Sequence, residues 1–250
     1  MPQNHTPRQR ARAQTLEAIT RIGRQHLATQ GAAALSVRAV ARDLGVVSSA
    51  IYRYVRSRDE LLTLLVVDGY DELGEAVEEA AAAVAADDFR GRFLAIGRAL
   101  RKWALREPAT YALLFGSPVP GYRAPAERTT GPGTRVITAL VQLWEDAHQA
   151  GAVREPDSSE PHVSRALSAD MDRIRAEFST DTPDDLVARG VLVWAGLFGC
   201  VSFEVFGQYG PDTFQAVDDL FEVQLQLLAD TTGLTPGARQ APTKTRTPRT

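Results

Sequence analysis

The stretch from Leu35 to Leu62, LSVRAVARDLGVVSSAIYRYVRSRDELL, decides the architecture of this chain. Ser36 is placed to cap a first helix whose apolar side is Val37, Val40, Ala41 and Leu44, a spacing that fills one helical face. Gly45 ends that helix because it tolerates the left-handed backbone of a sharp turn, and Val46 is expected to drop back into the core beneath it. A second helix over about 48–55 is too short to fold alone and is anchored by Ile51 and Val55. Ser57 and Glu60 then form a capping box that launches a long helix carrying Leu61, Leu62, Leu64, Leu65, Tyr70 and Leu73. Two short helices around a tight turn are a helix-turn-helix.

The outward side of the second helix holds Ser48, Ser49, Arg53 and a hydroxyl from Tyr52 or Tyr54. Such a face suits a major groove. An arginine reaches guanine O6 and N7, while Ser and Tyr bond phosphate oxygens. With Ser36, Val37 and Arg38 at the start of the first helix and Arg58 as a phosphate clamp, these residues are the expected DNA-binding set.

The unbroken register Val37-Arg38-Ala39-Val40-Ala41, Leu44-Gly45-Val46, Ile51-Tyr52-Arg53-Tyr54-Val55 and Ser57-Arg58-Asp59-Glu60-Leu61-Leu62 resembles the TetR family of transcriptional regulators. It departs from that pattern at Val47, where the family often has Ser, at Val55, commonly Phe, and at Arg58, commonly Lys. A phosphate contact expected at position 47 therefore falls to Ser48.

Charge points the same way. Residues 1–58 hold ten arginines against Glu17 and Asp43, a net +8, whereas the whole 250-residue chain is at −3, leaving −11 for the remainder. A basic end that coincides with the helix-turn-helix is the footprint of a polyanion partner. Catalytic chemistry lacks its materials. His5, His26, His148 and His162 are scattered, no Cys or His pair has metal-ligand spacing, and no phosphate-cradling glycine loop follows a strand. No enzyme, cofactor or metal site is expected. The single cysteine, Cys200, excludes an internal disulfide and fits a reducing cytoplasm. The apolar run from Val191 to Phe203 falls short of the roughly 18 to 20 residues that span a bilayer, so no membrane partner is expected.

The fold class read from the sequence is all-α. Residues 1–10 are expected as a disordered basic arm, with Arg8 and Arg10 followed directly by Arg12, and 11–58 as the DNA-binding domain. Residues 59–233 form a larger helical effector-binding and dimerisation domain, and 234–250, rich in Pro, Thr and Arg, a disordered tail. A first helix from about 11 to 30 supplies the floor of the reading head, and His26 beside its apolar stripe reads as a packing or surface residue. Residues 116–133, with four prolines and four glycines, read as a loop, either a lid or disordered. Thr182, Pro183, Asp184 and Asp185 mark the start of a helix that is apolar almost all round. Gly190, Gly196 and Gly199 would let a neighbouring helix come close, and a last amphipathic helix ends at Gly233.

Two apolar helices near the C-terminus are the material of a homodimer interface, with Trp194, Leu197, Val201, Phe203, Phe214, Phe221 and Leu225 as candidates. The TetR resemblance implies the same assignment. Trp194-Ala195-Gly196-Leu197-Phe198-Gly199 with Phe203-Glu204 looks like the C-terminal subtype with a Trp, His and Gly signature, Phe198 standing where that signature has His. Candidates for a pocket holding a small hydrophobic or aromatic effector are Trp103, Tyr111, Phe115, Trp144, Met171 and Phe198. The expected protein is a dimeric, cytoplasmic regulator, most simply a repressor released from a palindromic operator in double-stranded DNA by that effector. A DNA-binding regulator or scaffold with no effector is the alternative.

Overall fold

The computed structural model describes residues 6–154 and 163–235. They form eleven α-helices: α1 (Pro7–Gln30), α2 (Val37–Asp43), α3 (Ser48–Ile51), α4 (Arg58–Ala82), α5 (Phe89–Arg106), α6 (Pro108–Phe115), α7 (Ala126–Gly133), α8 (Arg135–Gln149), α9 (Arg165–Phe178), α10 (Asp184–Val205) and α11 (Val217–Thr232). A 3-10 turn, Ala32–Ala34, joins α1 to α2. Among the described residues there is no strand, only an isolated bridge between Val153 and Leu234. The all-α reading holds.

The helices fall into two compact units, which do not divide at residue 58. The first comprises residues up to 79, 98–139 and 201–211; the second comprises 80–97, 140–200 and 212 onward. In the first unit, Ile19, Ile22 and Leu27 of α1, Val37 and Val40 of α2, Ile51 of α3 and Leu61, Leu62 and Leu65 of α4 bury one another. Leu113, Val119 and Tyr122 pack against this core, and Tyr122 shares a 3.0 Å hydrogen bond with Thr63. The first unit runs past residue 58 because its core of α1 and α4 is also packed by the segment around α6.

Two stretches expected to lack structure are helical. Residues 6–10 begin α1: Thr6 caps it, Gln9 returns the capping box and Pro7 occupies the first turn. The rest of the expected arm, residues 1–5, lies outside the described residues. Within 116–133, α7 forms despite Pro132. The Thr129 hydroxyl donates to the Pro125 carbonyl at 2.9 Å, and Gly133 sits so close to Tyr70 that an added Cβ would lie 3.3 Å from its ring.

In the second unit, Phe93, Leu140, Trp144, Met171, Leu197 and Leu225 are buried. Close approaches set its packing. A Cβ on Gly190 would stand 2.8 Å from the Trp144 ring, and one on Gly196 would stand 2.8 Å from Leu228. Those two glycines therefore seat side chains of their own chain, while Gly199 faces open space. The start of α10 is anchored by the buried Glu145 carboxylate. It accepts from the hydroxyls of Thr180 and Thr182, from the Asp181 amide at 3.2 Å and from Gln149 Nε2 at 2.6 Å. Burial pushes the Glu145 carboxyl up, but those bonds outweigh it and hold it below the ordinary glutamate value.

At 22 residues α10 is longer than the apolar run that marks it. By length and composition it is the one helix among the described residues that could cross a membrane. The expected tail begins later than 234: Leu234 is buried, and Thr235 donates its amide to Ala152 at 3.1 Å. Residues 236–250 lie outside the described residues.

Candidate nucleic-acid interface

The reading head is built by local signals. Ser36 caps α2, its hydroxyl accepting from the Ala39 amide at 3.5 Å. Gly45 takes a φ of +70°, and the Val46 amide returns to the Ala41 carbonyl at 3.0 Å. Val46 itself is 42% exposed rather than in the core, because this bond turns the chain outward before α3 begins. The α-helical part of α3 is one turn, Ser48–Ile51, extended by turn bonds from Tyr54 to Ile51 at 2.8 Å and from Val55 to Ile51 at 3.0 Å. Ile51 and Val55 are buried and hold it down. Ser57 accepts from the Glu60 amide at 3.1 Å, while Glu60 reaches back to the Arg56 amide at 2.6 Å, one residue earlier than a strict capping box.

This leaves Ser48, Ser49, Tyr52 and Arg53 exposed together on α3 and the turn after it, with Arg38 exposed on α2. Tyr54 is half-buried, and the Arg12 guanidinium lies 5.4 Å from its ring centroid, tying the first turns of α1 to the turn after α3. Val37 is buried, so its side chain packs in the core and only its backbone stands at the helix start. Arg58 is also differently employed. Its guanidinium donates to the Ala32 carbonyl at 3.0 Å and the Ala33 carbonyl at 3.5 Å, closing the 3-10 turn onto the start of α4. Those contacts make it a clamp within the chain rather than a free phosphate donor.

Beneath the head, His26 is buried and its Nε2 lies 2.6 Å from Asp43 Oδ2. This contact and a bond from Arg42 hold the Asp43 carboxyl below the ordinary aspartate value. It pins the end of α2 to α1, a packing role that only the structure pairs with a partner.

Two segments of the chain match known families. Residues 19–65 match the bacterial regulatory proteins of the tetR family, and residues 93–228 match the tetracyclin repressor-like C-terminal domain. The chain belongs to the TetR family. The HTH-type transcriptional regulators Rv1816 of Mycobacterium tuberculosis (strain H37Rv) and Mb1846 of Mycobacterium bovis are each 46% identical over 221 residues, covering 88% of this chain and 93% of theirs. The solved structure of SCO4313 shares 34% identity, with a TM-score of 0.71 over 89% of this chain and 98% of that one. The TetR regulator PfmR from Thermus thermophilus, at 16% identity and a TM-score of 0.54 over 85% of this chain and 97% of its own, shows the common fold. This TetR-family chain is thus a transcriptional regulator with a helix-turn-helix DNA-binding domain, and not an enzyme.

The remaining candidates divide between the units. Trp103, Tyr111 and Phe115 belong to the first and Trp144, Met171 and Phe198 to the second. Tyr111 and Phe115 are neighbours, with ring centroids 5.1 Å apart, and Phe206 lies 5.8 Å from Tyr111. The Tyr111 and Ser202 hydroxyls share a 2.8 Å hydrogen bond. Trp103, Tyr111, Trp144 and Met171 are buried, and the Trp144 indole nitrogen is a buried donor without a hydrogen-bond partner among the described residues. A cleft of about 510 Å³ in the first unit is lined mostly by polar and charged residues, and one of about 420 Å³ in the second mixes His148, Arg154, Asp185 and Arg189 with Val153, Pro183 and Leu186; neither includes any of the six.

The apolar candidates on α10, α11 and the loop between them also separate. Leu197, Val201, Phe221 and Leu225 are buried within the chain itself and leave no surface for a partner. Trp194, Phe203 and Phe214 are exposed, and so are Val191, Leu192, Val223 and Leu227, which periodicity alone did not distinguish from their buried neighbours.

Proposed function

We propose that this regulator acts in the cytoplasm as a homodimer on a palindromic operator, as a repressor released by a small hydrophobic or aromatic effector. Residues 11–58 read DNA, with Arg38, Ser48, Ser49, Tyr52 and Arg53 as the groove-facing set, Tyr54 partly engaged by Arg12, and Ser36 with the backbone amides of Val37 and Arg38 at the start of α2. Residues 59–233 dimerise and hold the effector. The observation that carries the dimer is the exposed apolar set Val191, Leu192 and Trp194 on α10 with Val223 and Leu227 on α11. Large exposed apolar side chains gathered on two helices that pack together, Gly196 against Leu228, mark an interaction site, and a second copy satisfies it while supplying the second head that a palindrome needs. The same face contributes to making α10 long and apolar enough, by composition, to cross a membrane.

An effector stabilises whichever conformation it prefers, and lowers DNA affinity by that preference and no more. The unpartnered Trp144 donor supports an effector that carries an acceptor. The close burial of Trp103, Tyr111, Trp144 and Met171 favours a second reading, a regulator with no small-molecule effector.

Sedimentation of Leu192→Asp tests the dimer. The expected result is a monomer that still binds random-sequence DNA; a dimer as tight as the wild type would remove the proposed face.

A further inference from the structure

Arg24 of α1 is shared by three carboxylates from two other elements. Its Nη1 lies 3.2 Å from Asp68 Oδ2, and its Nη2 pairs with Glu72 Oε2 and lies 3.2 Å from Glu107 Oε2. Asp68 and Glu72 stand on α4, and Glu107 immediately precedes α6. Arg106 adds a second cation, 2.7 Å from Glu72 Oε1 and 3.8 Å from Glu107 Oε1. All five groups belong to the first unit. The Arg24 side chain is 23% exposed, so its contacts are screened less than those of an ordinary surface pair.

The arrangement is a frustrated cluster held by its cation. Burial pushes the Asp68 carboxyl above the ordinary aspartate value, against the pull of Arg24. Without that guanidinium, three carboxylates would face one another with only Arg106 between them, and like charges at such separations repel. The elements joined are those that carry the head. α1 is the floor under α2 and α3, through the apolar core and the contact of His26 with Asp43, and α4 is where the chain leaves the head.

We propose that Arg24 is a positioning residue for DNA reading: by clamping α1 to Asp68, Glu72 and Glu107 it fixes the orientation of α2 and α3 against α4 and the start of α6, without touching DNA. A planar fork can serve several acceptors at once where an ammonium, a point charge, cannot. The inference rests on the dimeric reading above, because two linked heads must present both reading faces in register, whereas an isolated half-site tolerates a tilted head.

The decisive variant is Glu107→Gln, because the clamp and simple electrostatics predict opposite signs. Removing an acidic group strengthens attraction to a polyanion through space, whereas loosening the clamp weakens specific binding. Fluorescence anisotropy at near-physiological salt would compare three duplexes: a two-half-site sequence selected by the wild type from a random pool, one half-site alone, and a random sequence. We expect Glu107→Gln to bind the two-half-site duplex about 5-fold more weakly and Arg24→Ala about 10-fold or more, within the usual span of coupling between linked sites. On the other two duplexes Glu107→Gln should bind no more weakly than the wild type and Arg24→Ala should lose much less than on the two-half-site duplex, and Arg24→Lys should recover part of the loss. Tighter or unchanged binding by Glu107→Gln overturns the clamp, and so does an equal loss by Arg24→Ala on all three duplexes, which would make Arg24 a direct DNA contact. Should Arg24→Ala fail to fold, Asp68→Asn beside Glu107→Gln carries the same prediction. A wild type that does not prefer two half-sites over one refutes the dimeric reading, whereas a preference that the variants leave intact refutes the clamp alone.

Discussion

The four-residue α3 and the 22-residue α10 both leave one side uncovered by their own chain, yet the uncovered groups are of opposite kinds. α3 exposes Ser48 and Ser49, with Tyr52 and Arg53 in the turn that continues it, and is held by Ile51 and Val55 beneath. α10 exposes Val191, Leu192 and Trp194 while burying Val193, Leu197 and Val201. A polar face on a helix too short to stand alone is stable in water and loses little by waiting for a polyanion. An apolar face on a long helix forgoes roughly 25 cal/mol per Å² until something covers it. Hydrophobic periodicity alone cannot tell these situations apart, since it marks which residues are apolar and not which are already covered.

The contrast within α10 can be broken most strongly at its buried side. Leu197→Ala removes a fully buried side chain beside Gly97 and Leu225, and should cost about 3 to 4 kcal/mol of stability in a chemical denaturation. Leu192→Ala, measured in a monomeric background, should change stability by less than about 0.5 kcal/mol. Equal costs would show that the exposed face is covered within the chain.

The anchor at the start of α10 is next in size. Glu145→Gln should destabilise the protein by on the order of 2 to 3 kcal/mol at neutral pH, because several donors lose a charged acceptor in a buried place. The folded Glu145 carboxyl lies below its ordinary value, so its contribution is present above that value and lost as pH falls through the folded one. The stability gap between wild type and Glu145→Gln should therefore shrink on acidification. A pH-independent gap would assign the cost to packing.

On the polar side, Arg53→Ala should weaken specific DNA binding by about 1 to 3 kcal/mol and relax the preferred sequence. A uniform loss on all sequences would make Arg53 a phosphate contact. Arg58→Ala is expected to cost about 1 kcal/mol of stability through its lost bonds to the Ala32 and Ala33 carbonyls, with the salt dependence of DNA binding unchanged. A shallower salt slope, by about 0.9 in the log-log plot, would restore Arg58 as a phosphate donor.

What the sequence made legible was local. Ser36, Gly45, Ser57 and Glu60 act within four residues of themselves, and their caps and turn lie where their chemistry demands. The start of α1 was legible too, in Thr6-Pro7-Arg8-Gln9, but a run of arginines beside it reads as a tail. By contrast α7 contains Pro132 between Gly131 and Gly133, and it forms because contacts at Thr129 and Gly133 override weak propensity. Arg58 reads as a free cation until the 3-10 turn brings two carbonyls to it. The Arg24 cluster joins residue 24, residues 68 and 72, and residues 106 and 107, three separate stretches that no spacing rule connects to one another. Of the seven apolar interface candidates, Leu197, Val201, Phe221 and Leu225 are core while Trp194, Phe203 and Phe214 are exposed, a distinction that only packing makes.

The most direct measurement of the central claim is selection of bound sequences from a random DNA pool by the full-length protein at near-physiological salt. A dimeric regulator with two linked heads predicts a palindrome whose half-sites are centred one helical turn, about 10 to 10.5 base pairs, or a multiple of it apart. Enrichment of a single unpaired half-site, or none above non-specific binding, would contradict it.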